Sequence, residues 1–155
     1  MSVVSVEKDA VARTMTITAE FDAPADRVWR LWGDPRKLER WWFPPEVTAT
    51  VQEHDLVPGG RVSYTCATPG GDRSGWWDVQ HVDEPRRIEF TMSDPGVPST
   101  SVRIAVADRP GGTRVTILVR FAAGDDMDLL LSLGFDRGLS AAVAQGDALL
   151  AADQP

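Results

Sequence analysis

Between residues 46 and 122 the apolar residues recur with a period of two, and that pattern leaves few folds open to the chain. Val47, Ala49 and Val51 share one parity, as do Val62, Tyr64 and Cys66, then Ile88, Phe90 and Met92, then Val102, Ile104 and Val106, then Val115, Ile117, Val119 and Phe121. Successive side chains of a strand point to opposite faces, so each run carries one apolar face and one polar face. Pro58-Gly59-Gly60, Pro69-Gly70-Gly71 and Pro110-Gly111-Gly112 punctuate the runs. Proline cannot continue a ladder and glycine supplies positive φ, so these are turns between antiparallel neighbours. The glycine-rich stretch 70–75 lacks the spacing and strand-to-helix context of a phosphate cradle and reads as a hairpin turn. Trp76 and Trp77 are adjacent and must take opposite faces; Trp77 and Val79 are assigned inward. About six antiparallel strands result.

A sheet with one apolar face needs a cover, and residues 125–152 carry the only long apolar stripe that fits. At about 100° per residue, Met127, Leu130, Leu131, Gly134, Gly138, Ala141, Ala142, Gln145 and Leu149 fall on one face. Asp125, Asp126, Asp136, Ser140 and Asp147 fall elsewhere. This expected helix is bulky at both ends of its stripe and small in the middle, so it either lies very close to the sheet or spans a hollow. Each glycine inside a helix costs about 1 kcal/mol relative to alanine, and Gly134 and Gly138 therefore need a reason. A kink at Gly134, separating residues 125–133 from the rest, is the alternative to one continuous helix.

Upstream, residues 2–8 and 13–21 are rich in Val, Thr and Ile, and the stretch from Thr14 alternates in character, so the chain opens with β structure. In Asp22-Ala23-Pro24-Ala25-Asp26 the proline pre-sets φ for a first helical turn, and Val28, Leu31 and Trp32 follow at helical spacing. Gly33-Asp34-Pro35 stops that helix, and a second short one over residues 36–41 ends before Pro44-Pro45. The expected architecture is α+β: two short helices after the first strand, then a curved antiparallel sheet wrapped around a long C-terminal helix. With no repeat or linker, residues 1–155 are read as a single domain.

No stretch approaches the ~18 consecutive apolar residues of a membrane span. The start of the chain lacks a secretory signal, and a single cysteine, Cys66, forms no intramolecular disulfide, so a cytoplasmic location is expected. The net charge of −7 disfavours a polyanionic partner, and the basic residues do not cluster; no nucleic-acid binding is expected. Two histidines and one cysteine, widely separated, give no metal site of recognisable spacing, and neither metal nor cofactor is expected.

Particular residues, taken in order, carry a family likeness. They are Phe21-Asp22-Ala23-Pro24, Val28-Trp29, Asp34-Pro35, Leu38 and Trp41-Trp42 in the first part. Asp55-Leu56-Val57-Pro58-Gly59-Gly60, Gly75, Glu84-Pro85-Arg86-Arg87-Ile88 and Gly112-Thr113-Arg114-Val115 continue the series. Over residues 14–150 the chain resembles the activator of heat-shock protein 90 ATPase homologue family, within the START-like (SRPBCC) superfamily. Phe135 stands where relatives commonly carry tryptophan, and Val57-Pro58 where many carry arginine before the paired glycines. The resemblance implies a helix-grip fold with a cavity between sheet and terminal helix. Superfamily members bind lipids, sterols, hormones or polyketides, some catalyse cyclisation or aromatisation, and the eukaryotic namesake stimulates a chaperone ATPase.

Three functions follow as expectations. The first is binding of a small hydrophobic or aromatic ligand, with Trp41, Trp42, Tyr64, Cys66, Trp77, Phe90, Gly134, Gly138 and Gln145 as the wall. For the tryptophans the competing role is core packing, for the glycines close helix-to-sheet contact, and for Gln145 a backbone partner. The second is a cyclase or aromatase using the same cavity, for which Tyr64, Cys66 and His81, with Glu53 and Asp55 at the parity of Val51, are the reactive groups at hand. The third is a chaperone-interacting module. Unpaired strand edges permit a homodimer as well as a monomer.

Overall fold

A computed structural model describes residues 3–152 of the chain. Residue 2, where the sequence places the start of the first strand, lies outside the described residues. Strands β1 (Val3–Asp9) and β2 (Thr14–Phe21) open the chain, followed by helices α1 (Ala25–Gly33) and α2 (Pro35–Trp41). Six strands come next: β3 (Thr48–His54), β4 (Arg61–Thr68), β5 (Gly71–Asp83), β6 (Arg87–Asp94), β7 (Val97–Arg109) and β8 (Gly112–Phe121). Helices α3 (Gly124–Ser132), α4 (Phe135–Ala144) and α5 (Gly146–Ala152) end it. The strands form one antiparallel sheet in the order β1-β2-β8-β7-β6-β5-β4-β3, the curved sheet of a helix-grip fold.

Alternation does what period two requires. Met15, Ile17, Ala19 and Phe21 of β2 are buried, as are Val115, Ile117, Val119 and Phe121 of β8 and Val102, Ile104 and Val106 of β7. Two short helices begin as their sequences suggest: Pro24 precedes α1, and Asp34 accepts a bond from the Arg36 amide at 2.9 Å to cap α2. From α2, Arg36 donates to the Val51 carbonyl and Glu39 accepts from the Val51 amide, each at 2.8 Å. Since β3 is an edge strand, these side chains occupy backbone groups that another strand would otherwise pair with.

Bulges and turns depart from simple counting. A register shift between Val51 and Glu53 turns Glu53 outward and brings His54 in, where its Nε2 lies 2.8 Å from the Trp32 carbonyl. A second shift between Val79 and His81 leaves Val79 buried and His81 exposed, so His81 does not face inward as its position suggests. Thr68 pairs with Gly71, so the turn is only Pro69-Gly70 and residues 72–74 extend β5 instead of forming a loop. Asp94 pairs with Val97 across Pro95-Gly96, where Gly96 takes φ 87, a turn that proline opens and glycine closes.

The terminal segment is not one long helix. It breaks at Gly134, whose φ of 85 lies in the left-handed region, and again at Gln145 before Gly146. The first break resets the helical phase. Met127 and Leu130 of α3 are buried as expected, but beyond Gly134 the buried face runs through Leu139, Ala142, Val143, Gly146 and Leu150. Helix α3 packs on β7 and β8, while α4 packs on β1 and β2 and is tied down by Lys8–Asp136 at 2.6 Å. Arg27 donates to the Leu150 carbonyl at 2.6 Å and joins α5 to α1.

Candidate ligand pocket

Aromatic packing determines where the interior is full. Trp32, Trp41, Trp42 and Trp77 meet edge to face in a chain with centroids 5.0 to 5.7 Å apart between successive rings, and Trp77 stacks on Phe90 at 3.9 Å. Trp41, Trp77 and Phe90 are essentially inaccessible, and Trp41 Nε1 donates to the Leu31 carbonyl at 2.7 Å. These three residues, expected on a cavity wall, belong to the packed core and do not reach the pocket. Gln145 does not reach it either: its Nε2 donates to the carbonyls of Trp41 (3.2 Å) and Phe43 (2.6 Å). That pairing answers an amide that would otherwise be costly to bury, and it clamps the end of α4 to the loop after α2.

Beyond this filled region lies an open pocket of about 330 Å³. The loop after α2 contributes Trp42, Phe43 and Pro44; the junction of α3 and α4 contributes Leu130, Leu133, Gly134, Phe135, Gly138 and Leu139. Strand ends close the floor with Tyr64, Cys66, Arg73, Met92, Asp94 and Thr100. Of the residues expected from sequence, Trp42, Tyr64, Cys66, Gly134 and Gly138 therefore come together here. The Phe43 and Tyr64 rings meet edge to face at 4.8 Å, and Tyr64 lies so close over Gly75 that a Cβ there would come within 2.7 Å of its hydroxyl. Glycine at position 75 is what lets the phenol lie flat along the floor.

The wall is mostly apolar, with polar groups gathered at the strand ends. Arg73 donates to Asp94 Oδ2 at 3.1 Å, while Asp94 Oδ1 is buried and has no hydrogen-bond partner. Burial lifts the Asp94 carboxyl above its ordinary range against the pull of Arg73. Burial likewise pushes the Tyr64 phenol well up and the Cys66 thiol to about 11, with the Asp94 charge adding to both. Tyr64 and Cys66 are thus held protonated, as hydrogen-bonding groups. His54 is engaged with a core carbonyl, and His81, Glu53 and Asp55 face solvent away from the pocket. No group of three His, Cys, Asp or Glu side chains among the described residues is placed to hold a metal ion.

Arg73 and Asp94 were not singled out from the sequence, although a signal existed. Arg73 shares parity with Trp77 and Val79, and Asp94 with Ile88, Phe90 and Met92, so each is a charge ending an inward-facing row. Their proximity needed the β5–β6 pairing, which periodicity does not supply.

Comparison with known proteins fits this geometry. Residues 22–145 match the family described as Activator of Hsp90 ATPase homolog 1-like protein. The chain belongs to this family. As a family member it is similar over its length to solved bacterial structures: the crystal structure of protein Ms6760 from Mycobacterium smegmatis is 38% identical with a TM-score of 0.89, covering 99% of both chains. A protein from Arthrobacter aurescens is 34% identical with a TM-score of 0.93, over 97% of this chain and 93% of that one. The AHSA1-like protein from Aeromonas hydrophila, 21% identical with a TM-score of 0.66 over 88% of this chain and 90% of its own, shares the fold. No curated protein matches the chain. No helix among the described residues is long and apolar enough to cross a membrane.

Proposed function

We propose that the protein binds a small, largely apolar or aromatic molecule in the pocket at the α3–α4 junction. The observation that carries this reading is the combination of a hollow of about 330 Å³ with a wall of Trp42, Phe43, Tyr64 and Phe135. That volume is at the lower end of the ~300 to 1,000 Å³ of small-molecule sites, which suits a compact ring system better than a long-chain lipid. Apolar burial would supply most of the affinity, and the polar strand ends the orientation. As part of the same proposal the chain acts as a single domain in the cytoplasm, as a monomer or a homodimer.

The test uses Trp42 as its reporter and Gly138 as its control. A Cβ at Gly138 meets only Pro44 Cγ, at 3.4 Å, so a longer side chain projects into the hollow. Saturable quenching of tryptophan fluorescence by aromatic compounds is expected in the native protein and should be lost in Gly138→Leu with melting temperature retained. A folded Gly138→Leu variant that binds as well as the native chain would sink the reading.

A further inference from the structure

Among the described residues only two charged ones line the pocket, Arg73 and Asp94, and they are paired with each other. The pair is neutral as a whole, so the pocket holds no uncompensated charge for an ionic ligand to answer. It is nevertheless unfinished in one respect. Asp94 Oδ2 has its donor in Arg73, but Oδ1 is buried without one, and a carboxylate oxygen out of water with no donor is an unfavourable arrangement. None of the described residues donates to it.

Resting on the pocket-binding reading above, we propose that the pocket selects neutral aromatic molecules carrying a hydroxyl group, whose O–H donates to Asp94 Oδ1 while the rings lie among Trp42, Phe43, Tyr64 and Phe135. A hydroxyl fits for three reasons. It donates a hydrogen bond, which Asp94 requires and an ether or bare hydrocarbon cannot give. It brings no charge, so the Arg73–Asp94 pair stays intact, whereas an ammonium would compete with Arg73 and a carboxylate would be repelled by Asp94. The third reason is place: Asp94 is a lining residue of the hollow and its side chain is about a third exposed (35%), so a donor held among the rings is brought to its carboxylate. Asp94 lines the pocket from the last position of β6, beside Pro95-Gly96, so a bound molecule would turn its polar end toward these strand ends.

Titration calorimetry with naphthol, naphthyl methyl ether and naphthalene tests this directly. The three share a ring system: naphthol alone has an O–H donor, the ether keeps the oxygen without the donor, and naphthalene has neither. Naphthol should bind about tenfold more tightly than the ether, the ratio expected of one charge-assisted hydrogen bond of modest net strength. In Asp94→Ala that preference should vanish while naphthalene binding is unchanged; in Asp94→Asn, which keeps an acceptor oxygen, part of it should survive. Equal binding of naphthol and ether to the native protein, or a preference that persists in Asp94→Ala, overturns the hydroxyl proposal and leaves the pocket reading standing. If none of the three binds, the pocket reading for aromatic ligands fails and the hydroxyl proposal falls with it.

Discussion

Gly138 and Gly146 lie on the same terminal segment and mark its two opposite relations to the sheet. A Cβ at Gly146 would fall 2.8 Å from Phe21 Cε1 and 3.2 Å from its Cζ, with Leu31 Cδ1 at 3.7 Å. At Gly138 a Cβ would meet a single atom of Pro44 at 3.4 Å, with the pocket beyond. One glycine therefore permits close contact and the other borders empty space. The grip is closed at the α5 end and open at the α3–α4 end. A row of small residues along a helix can thus have two causes within a few turns, and only the atoms opposite distinguish them.

The closed end should dominate stability. Phe21 is fully buried and fills the contact with Gly146, so Phe21→Ala is expected to cost about 3–5 kcal/mol in denaturant unfolding. Because Phe21 does not line the pocket, the folded fraction should bind ligand as before. Loss of binding with stability intact would break the division between the two ends. Gly146→Ala is the next largest effect, about 1–3 kcal/mol of destabilisation, since the added methyl must displace a packed ring. Gly138→Ala should stay within about 1 kcal/mol of the native protein, because helix propensity favours alanine and Pro44 yields little resistance. Similar losses at both glycines would erase the contrast.

Much of this was legible in the sequence, and the failures share a cause. The one-sided strands, the two short helices closed by Gly33-Asp34-Pro35 and Pro44-Pro45, and the covering role of the terminal segment all follow from local pattern. Gly134 and Gly138 also stand out correctly as exceptional positions. The kink at Gly134 is legible too, as the alternative to one continuous helix, and the structure takes it. What periodicity misses are other resets of phase: the break before Gly146 and the bulges after Val51 and Val79 each shift the later side chains of their element. Hence the packing role of Gly146 is not legible in the pattern, Gln145 takes the backbone partners that were the alternative to a place on the wall, and the strand parity of His81 does not bring it to the pocket. Trp41, Trp77 and Phe90 show the other limit, since an inward parity is common to a core residue and a pocket wall. Which one it becomes depends on how much of the helix lies opposite, a tertiary quantity.

At neutral pH the smallest expected effect lies at the open end, in the ionisation of Cys66, which tells only in alkali. Burial raises its pKa from an ordinary 9.0 to about 11, so the folded chain holds the proton more tightly than the unfolded chain. Below pH 9 both forms are protonated and the residue contributes no pH dependence; as pH rises from about 9 through 11, the unfolded state ionises first and stability declines. Cys66→Ala should flatten that part of the stability curve. The same burial predicts that iodoacetamide alkylates Cys66 in the native protein far more slowly than a free thiol at neutral pH, with the rate climbing only toward pH 11. A ligand in the pocket should slow it further, because Cys66 is part of the wall. Alkylation at the rate of a free thiol at neutral pH would show that the open end is wetter than its apolar wall implies, and the difference between the two ends would then extend to solvent access as well as packing.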